Sequence, residues 1–195
     1  MMNGVATSRA ALLLVLLLAC SVGSHAVAAD DVWALLKQPG HIILLRHSNA
    51  PETITESDDM DMKNCAIQRN LDAEGRSQAA RIGDEFRKHK INSVRLMSSE
   101  YCRAIDTGKL TKLGPVTPLR TLNLVYLSNI PAMREAGAKT REFMKTVPAT
   151  QLTMLVTHVG NILAVAGVKL DSGEMAVVHL DSAGEVVVDG RIGVP

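Results

Sequence analysis

The sequence predicts an α/β fold: a three-layer α/β/α sandwich on a mainly parallel sheet with an antiparallel edge. Ile42-Ile43-Leu44-Leu45 and Leu152-Thr153-Met154-Leu155-Val156-Thr157 are apolar runs of strand length, the pattern of strands covered on both faces. Helical periodicities lie between such runs, as parallel strands require of their crossovers. Further on, β-branched runs at 175–180 and 185–189 flank Asp181-Ser182-Ala183-Gly184, which reads as a hairpin and so as antiparallel strands. From the first strand onward the predicted order is β, long loop, α, β, α, α, β, α, β, β.

A chain of 195 residues, 47% apolar, suits one globular domain with a packed core and excludes a disordered chain. Residues 1–29 read as a secretory signal peptide. Arg9 is the single charge among the first ten residues, Ala11 to Ala19 is an unbroken apolar run, and Ala26-Val27-Ala28 is a small-x-small cleavage signal. The run is too short for a membrane span. Leu17-Leu18-Ala19-Cys20 also fits a lipoprotein box, so two routes stand open. Cleavage near Ala28–Asp30 gives an exported protein, periplasmic or secreted; lipidation of Cys20 would hold the domain at a membrane. The folded domain is expected over 30–195. Loss of Arg9 with the leader takes the 21 Lys+Arg to 20, against 20 Asp+Glu. That balance carries no electrostatic footprint of a nucleic-acid partner. Cys65 and Cys102 are an even pair in an exported chain, which points to a disulfide; two buried thiols are the alternative.

Taken in order, Asp31 to Lys37 is a short helical pattern ended by Pro39-Gly40, after which the first strand runs into Arg46-His47. Residues 48–64 form a long acidic loop with Glu52, Glu56, Asp58, Asp59 and Asp61, either a lid or substrate contact for a site at the strand end, or a solvated connection. Asp72 is the N-cap of a helix with Glu74 in its first turn, Ala79, Ile82 and Phe86 on its buried stripe, and Arg87, Lys88 and Lys90 at its end. Val94 to Met97 is the next strand. It hands Ser98-Ser99-Glu100-Tyr101-Cys102-Arg103 to a helix over 104–113, whose start suits an anion. Leu122 to Leu127 reads as a weak strand. Pro131 opens a helix with Met133, Ala136, Thr140, Phe143 and Val147 on one face, and the strand at 152–157 delivers His158 to a short helix ended by Gly167.

The strand ends thus gather Arg46, His47, Arg103 and His158, with Ser48, Asn49, Ser98, Ser99 and Asn161 nearby. In open α/β sheets the carboxyl ends of strands are where ligands bind. Two arginines make a bidentate clamp for a tetrahedral oxyanion, which points to phosphate. Adjacent guanidinium groups oppose a metal cation at the histidines, and a zinc site from His47, His158 and a cysteine lacks the usual ligand spacings. The same charges favour a neutral imidazole, the form a nitrogen nucleophile needs, while a second histidine can stabilise the transferring group.

These stretches resemble a known family. Leu45-Arg46-His47-Ser48 is similar to the Arg-His-Gly signature of the histidine phosphatase superfamily, the clan of phosphoglycerate mutases and acid phosphatases. Arg69-Asn70-Leu71-Asp72-Ala73-Glu74-Gly75-Arg76-Ser77-Gln78-Ala79 resembles its R-x-L-T-x-x-G-x-x-Q-A element, and Ser98-Ser99-Glu100-Tyr101-Cys102-Arg103-Ala104 its S-S-P-x-x-R-A element. Val156-Thr157-His158-Val159-Gly160-Asn161-Ile162 resembles the element bearing its second histidine. The match spans about residues 41–180, with all blocks in order.

The resemblance implies a phosphoglycerate mutase-like fold and catalytic residues His47, which becomes phosphorylated, and His158. Arg46, Arg103 and Asn49 belong to the implied phosphate pocket. It implies hydrolysis of a phosphorylated small molecule or phosphoprotein with no metal and no cofactor. The chain departs from the pattern at Ser48 (for Gly), Glu100 (for Pro) and Val159 (for the Asp of the acid-phosphatase branch). A catalytically weak or inactive anion-binding module of the same fold is therefore the alternative. No residue matches the family's general acid; Asp58, Asp59, Asp61 and Glu100 are the candidates. Without an acid, the substrates expected are those with good leaving groups, such as aryl phosphates, acyl phosphates or phosphoramidates.

Overall fold

Strand β1 (Ile42–Arg46) lies in the interior of a six-stranded sheet, which is why it is apolar from Ile42 to Leu45: both of its faces are covered and both of its edges are paired. The computed structural model describes Met1 and residues 29–54, 56–57 and 60–194. Nearly all of the expected leader, Cys20 included, lies outside the described residues, as do Asp58 and Asp59. Among the described residues no helix is long and apolar enough to cross a membrane.

In chain order the elements are α1 (Ala29–Leu35), β1, α2 (Ala73–Lys88), β2 (Arg95–Ser98), α3 (Cys102–Thr111), β3 (Val116–Pro118), α4 (Ile130–Lys145), β4 (Thr153–Thr157), α5 (Val159–Ala166), β5 (Met175–Leu180) and β6 (Val186–Ile192). The sheet order is β3-β2-β4-β1-β5-β6. β1, β4, β2 and β3 are parallel, while β5 and β6 are antiparallel additions at one edge. This is the three-layer sandwich the sequence predicts.

Alternation along the strands divides the core in two. Ile43, Leu45, Leu96, Met154, Val156 and Val177 face Val32 and Trp33 of α1, Ile82 and Phe86 of α2, and Ala104 of α3. Ile42, Leu44, Met97, Leu155, Ala176 and Val178 face Met144 of α4 and Ile162 and Val165 of α5. Each fully buried side chain of this kind contributes roughly 1.5–3 kcal/mol, so the parallel strands are fixed before any polar group is considered.

The local signals hold at most ends. Asp72 caps α2 by accepting from Gly75 N at 2.7 Å, and Gly167 ends α5 in the left-handed conformation at φ 68°. Two readings are corrected. The expected strand at 122–127 is a 3₁₀ turn at Arg120–Leu122 followed by loop: Leu122 is buried, but Tyr126 and Leu127 are exposed. The strand that completes this edge is instead β3, too short to show alternation and ending at Pro118, which an edge tolerates. The buried face of α4 is Met133, Gly137, Thr140 and Met144, rotated from the expected stripe; Ala136 and Phe143 are half-buried and Val147 lies beyond the helix.

Candidate active site

β1 and β4 run in register, with Arg46 opposite Thr157, so the residues that follow each strand emerge side by side. His47 N donates to Thr157 O at 3.0 Å, and the rings of His47 and His158 stand 5.1 Å apart between centroids. Both residues are buried. The loop that follows β1 crosses α2 so closely that a Cβ on Gly75 would lie 2.0 Å from Asn49 O; only glycine permits this approach.

Nδ1 of His47 lies 2.8 Å from the carbonyl oxygen of Ser48. A carbonyl can only accept, so Nδ1 carries the proton and Nε2 the lone pair. Nε2 accepts from Arg103 Nε at 3.3 Å. Burial, then the Arg103 charge, pushes the His47 pKa down to about 3, with Arg46 and Arg69 adding to the effect and the Ser48 bond opposing it. At neutral pH His47 is a neutral imidazole with its free nitrogen facing cations. His158 is likewise held well below the ordinary value, first by burial and then by His47 and the same arginines. Its Nε2 meets Ser99 Oγ at 2.8 Å.

Arg103 is the largest fully buried side chain and leaves the first turn of α3. Its Nη1 donates to Glu56 Oε1 at 2.6 Å, with side-chain exposures of 1% and 4%. The same oxygen accepts from Arg69 N at 2.9 Å. A carboxylate from the acidic loop thus sits where the guanidinium would hold an anion. Breaking so buried a pair by removing one partner typically costs about 3–5 kcal/mol, so whatever displaces Glu56 must itself be an anion.

Arg46 and Arg69 complete the cationic set. Arg46 Nη1 donates to Leu170 O at 2.9 Å and Arg69 Nη2 to Ala50 O at 2.6 Å, which fixes both side chains. Arg46 Nε, Arg69 Nε and His158 Nδ1 are buried with no hydrogen-bond partner in the protein. The two guanidinium Nε–H groups are buried donors that call for an acceptor, and a phosphoryl group brings several oxygens. Arg69 stood in the sequence within one of the motif blocks but not among the site residues; its charge acts on both histidines.

The other expected residues fall as follows. Asn49 Nδ2 donates to Asp72 Oδ2 at 2.9 Å, so its amide is tied to the cap of α2. Glu100 is turned to Asn123, accepting from Nδ2 at 2.7 Å, and does not pair with the arginines. Asp61 is exposed and accepts from Lys63 N at 2.9 Å. Of the acidic loop's described carboxylates, Glu56 is the buried one and reaches Arg103, while exposed Glu52 meets Arg69 Nη1 at 3.4 Å. The start of α3 is less open to an anion than expected: Tyr101 N donates to Ser99 Oγ and Cys102 N to Gln68 Oε1. Cys65 and Cys102 form a disulfide, which ties the far end of the acidic loop to the first residue of α3, next to Arg103.

Beside the buried centre lies an open groove of about 790 Å³, lined by Met60, Met62, Glu100, Tyr101, Arg120 and Lys139 among others. It meets the site at Tyr101, whose ring meets that of His158 edge-to-face at 5.0 Å between centroids and carries Arg103 Cζ 4.6 Å from its own centroid.

No family model matches the sequence. No curated protein matches it either. Solved structures do resemble its fold. The protein histidine phosphatase SixA complexed with tungstate superposes with a TM-score of 0.53 at 14% identity, over 78% of this chain and 96% of that one. A phosphoserine phosphatase mutant from Entamoeba histolytica, in complex with phosphoserine, gives 0.59 at 12% identity, over 77% and 95%. A mycobacterial glucosyl-3-phosphoglycerate phosphatase in complex with VO3 gives 0.57 at 14% identity, over 77% and 97%. The chain therefore has the fold shared by these structures, a phosphoglycerate mutase-like three-layer sandwich.

Proposed function

We propose that the protein is a phosphatase that hydrolyses a phosphate ester or related phosphorylated compound through a phosphohistidine on His47. The carrying observation is the buried neutral imidazole with its Nε2 lone pair facing Arg103, among donors that lack acceptors. Similarity to phosphatases in fold supports the reading. Nε2 attacks phosphorus, the bond to the leaving oxygen breaks, and that oxygen takes a proton. Water then attacks the phosphohistidine and gives a proton to the carboxylate that protonated the leaving oxygen, the P–N bond breaks, and phosphate leaves with Nε2 restored. Arg46, Arg69 and Arg103 balance charge on the phosphoryl oxygens, and His158 packs its ring beside His47. Guanidinium groups on the pocket wall oppose a cation there, which supports chemistry without a metal.

Glu56 takes the role of proton donor in this scheme. A phosphate on Arg103 displaces the carboxylate and leaves Glu56 beside the transferring group, where it can pass a proton to a leaving alkoxide. The groove beside Tyr101 accepts the rest of the substrate, a small molecule or a phosphorylated side chain. Export, by either leader route, accords with the Cys65–Cys102 bridge.

The test is hydrolysis of an aryl phosphate, with and without chelator, by the protein and its His47→Ala variant. Turnover that survives chelation and vanishes in the variant is expected. Equal inertness of both proteins towards an aryl phosphate and a phosphoramidate would leave an anion-binding module, a reading the Glu56 plug on Arg103 also suits.

A further inference from the structure

We infer a second site, for a divalent transition-metal ion of the zinc class, at the opposite end of β1. His41 immediately precedes β1, His179 lies on β5 and Asp189 on β6. Ile42 pairs with Val178 in the antiparallel ladder, which sets His41 across from His179. β6 has a register irregularity between the pairs Val178 to Val188 and Val177 to Gly190, and Asp189 is the residue left over. Sheet pairing and the bulge bring two imidazoles and a carboxylate from three strands together, with one ligand atom of each within 4.8 Å of the others. All three side chains are partly buried, and His179, the most open at 38% exposed, leaves room for a further ligand.

Hydrogen bonding sharpens this. His41 Nδ1 lies 3.4 Å from the carbonyl of Gln38, so it donates there and leaves its lone pair on Nε2. Nε2 faces Asp189 Oδ2 at 3.6 Å, too far for a direct hydrogen bond, so ring nitrogen and carboxylate converge on one point without bonding each other. A ligand imidazole whose other nitrogen donates to a backbone carbonyl is the usual outer support of such ions. His179 Nδ1 stands 2.8 Å from the same oxygen. Ligands at about 2.0–2.1 Å in a tetrahedron lie about 3.3 Å from one another, so the three atoms, now within 4.8 Å of one another, would seat the ion after side-chain shifts of up to about an ångström. Two imidazoles and a carboxylate suit zinc, cobalt or nickel and are poor for calcium or magnesium.

His41 and His47 are separated by the length of β1, roughly 20 Å, so the ion would be remote from the phosphate pocket. It would cross-link the sheet interior to the edge hairpin. The test uses the purified protein stripped with chelator and titrated with Co²⁺, followed by visible absorption and then by Zn²⁺ displacement. One equivalent of tetrahedral Co²⁺ signal is expected, retained in His47→Ala and weakened at least about tenfold in Asp189→Asn, a near-isosteric change that preserves the fold. Zn²⁺ should raise the unfolding midpoint of the wild type but not of Asp189→Asn. No uptake by the wild type, or equal uptake by the wild type and by Asp189→Asn and His179→Ala, would overturn the site; so would a signal lost only in His47→Ala.

Discussion

β1 carries a histidine at each end, and the two have opposite surroundings. His47 is ringed by Arg103, Arg46 and Arg69, is almost fully buried, and keeps a lone pair aimed at guanidinium. His41 is partly buried and points its ring nitrogen at Asp189. The strand fixes both positions, but neighbours from other elements decide the electrostatics: guanidinium groups surround the imidazole at one end, and a carboxylate faces it at the other.

The most direct way to break this comparison is to exchange the losses. His47→Ala should remove phosphatase turnover by roughly 10⁵-fold or more, as loss of a nucleophile does elsewhere, and leave Co²⁺ uptake intact. His41→Ala should do the reverse, with turnover unchanged. Steady-state kinetics and cobalt titration on both variants check this, and crossed or shared losses would show that the ends are not independent.

Acid should distinguish the ends next. In the folded protein His47 titrates at about 3, whereas in the unfolded chain it takes its proton near 6.5. The unfolded state therefore binds more protons in that window, so stability falls as pH drops from about 6.5 towards 3, by up to about 5 kcal/mol from this group. His158 acts in the same direction. Denaturant unfolding across that range should show the slope, and His47→Ala should flatten it; an unchanged slope would mean that His47 is not held neutral by the fold.

Reduction of Cys65–Cys102 acts at the anion end alone. The bridge closes a 37-residue loop, worth about 4 kcal/mol in the chain-entropy model. Reduced protein should unfold at lower denaturant and bind inorganic phosphate more weakly, because the loop's end and the start of α3 are no longer joined. Equal phosphate affinity before and after reduction would separate the bridge from the pocket.

Smaller effects sharpen the anion end further. Arg103→Lys keeps the charge but loses the Nε–H to His47 and the planar fork, and should lower kcat by about 10²-fold. Glu56→Gln should lower turnover of an alkyl phosphate by about 10² and of an aryl phosphate by less, since the poorer leaving group needs the proton more. Equal losses on both substrates would leave Glu56 as a plug only.

Much of this was legible in the chain itself. Buried parallel strands announce themselves as continuous apolar runs, and the Asp72 cap, the Gly167 stop and the 181–184 turn follow from local chemistry. Arg46, His47, Arg103 and His158 could be placed at strand ends because strand ends are legible. Short, edge or irregular pieces were not: β3 is too brief for periodicity, and the apolar residues at 122–127 divide between a buried Leu122 and exposed Tyr126 and Leu127.

The sequence by itself determined the layered α/β plan and the residue types delivered to the rim, because both rest on periodicity and on contacts between near neighbours. Only the tertiary structure decided that Glu56 rather than Asp61 or Glu100 reaches Arg103, that Asn49 serves the cap of α2, and that Arg69 joins the pocket. It also brought His41, His179 and Asp189 together, residues far apart in the chain and marked by no spacing rule. Such meetings depend on loop paths and sheet register, and electrostatic character belongs to a neighbourhood that no single stretch of sequence contains.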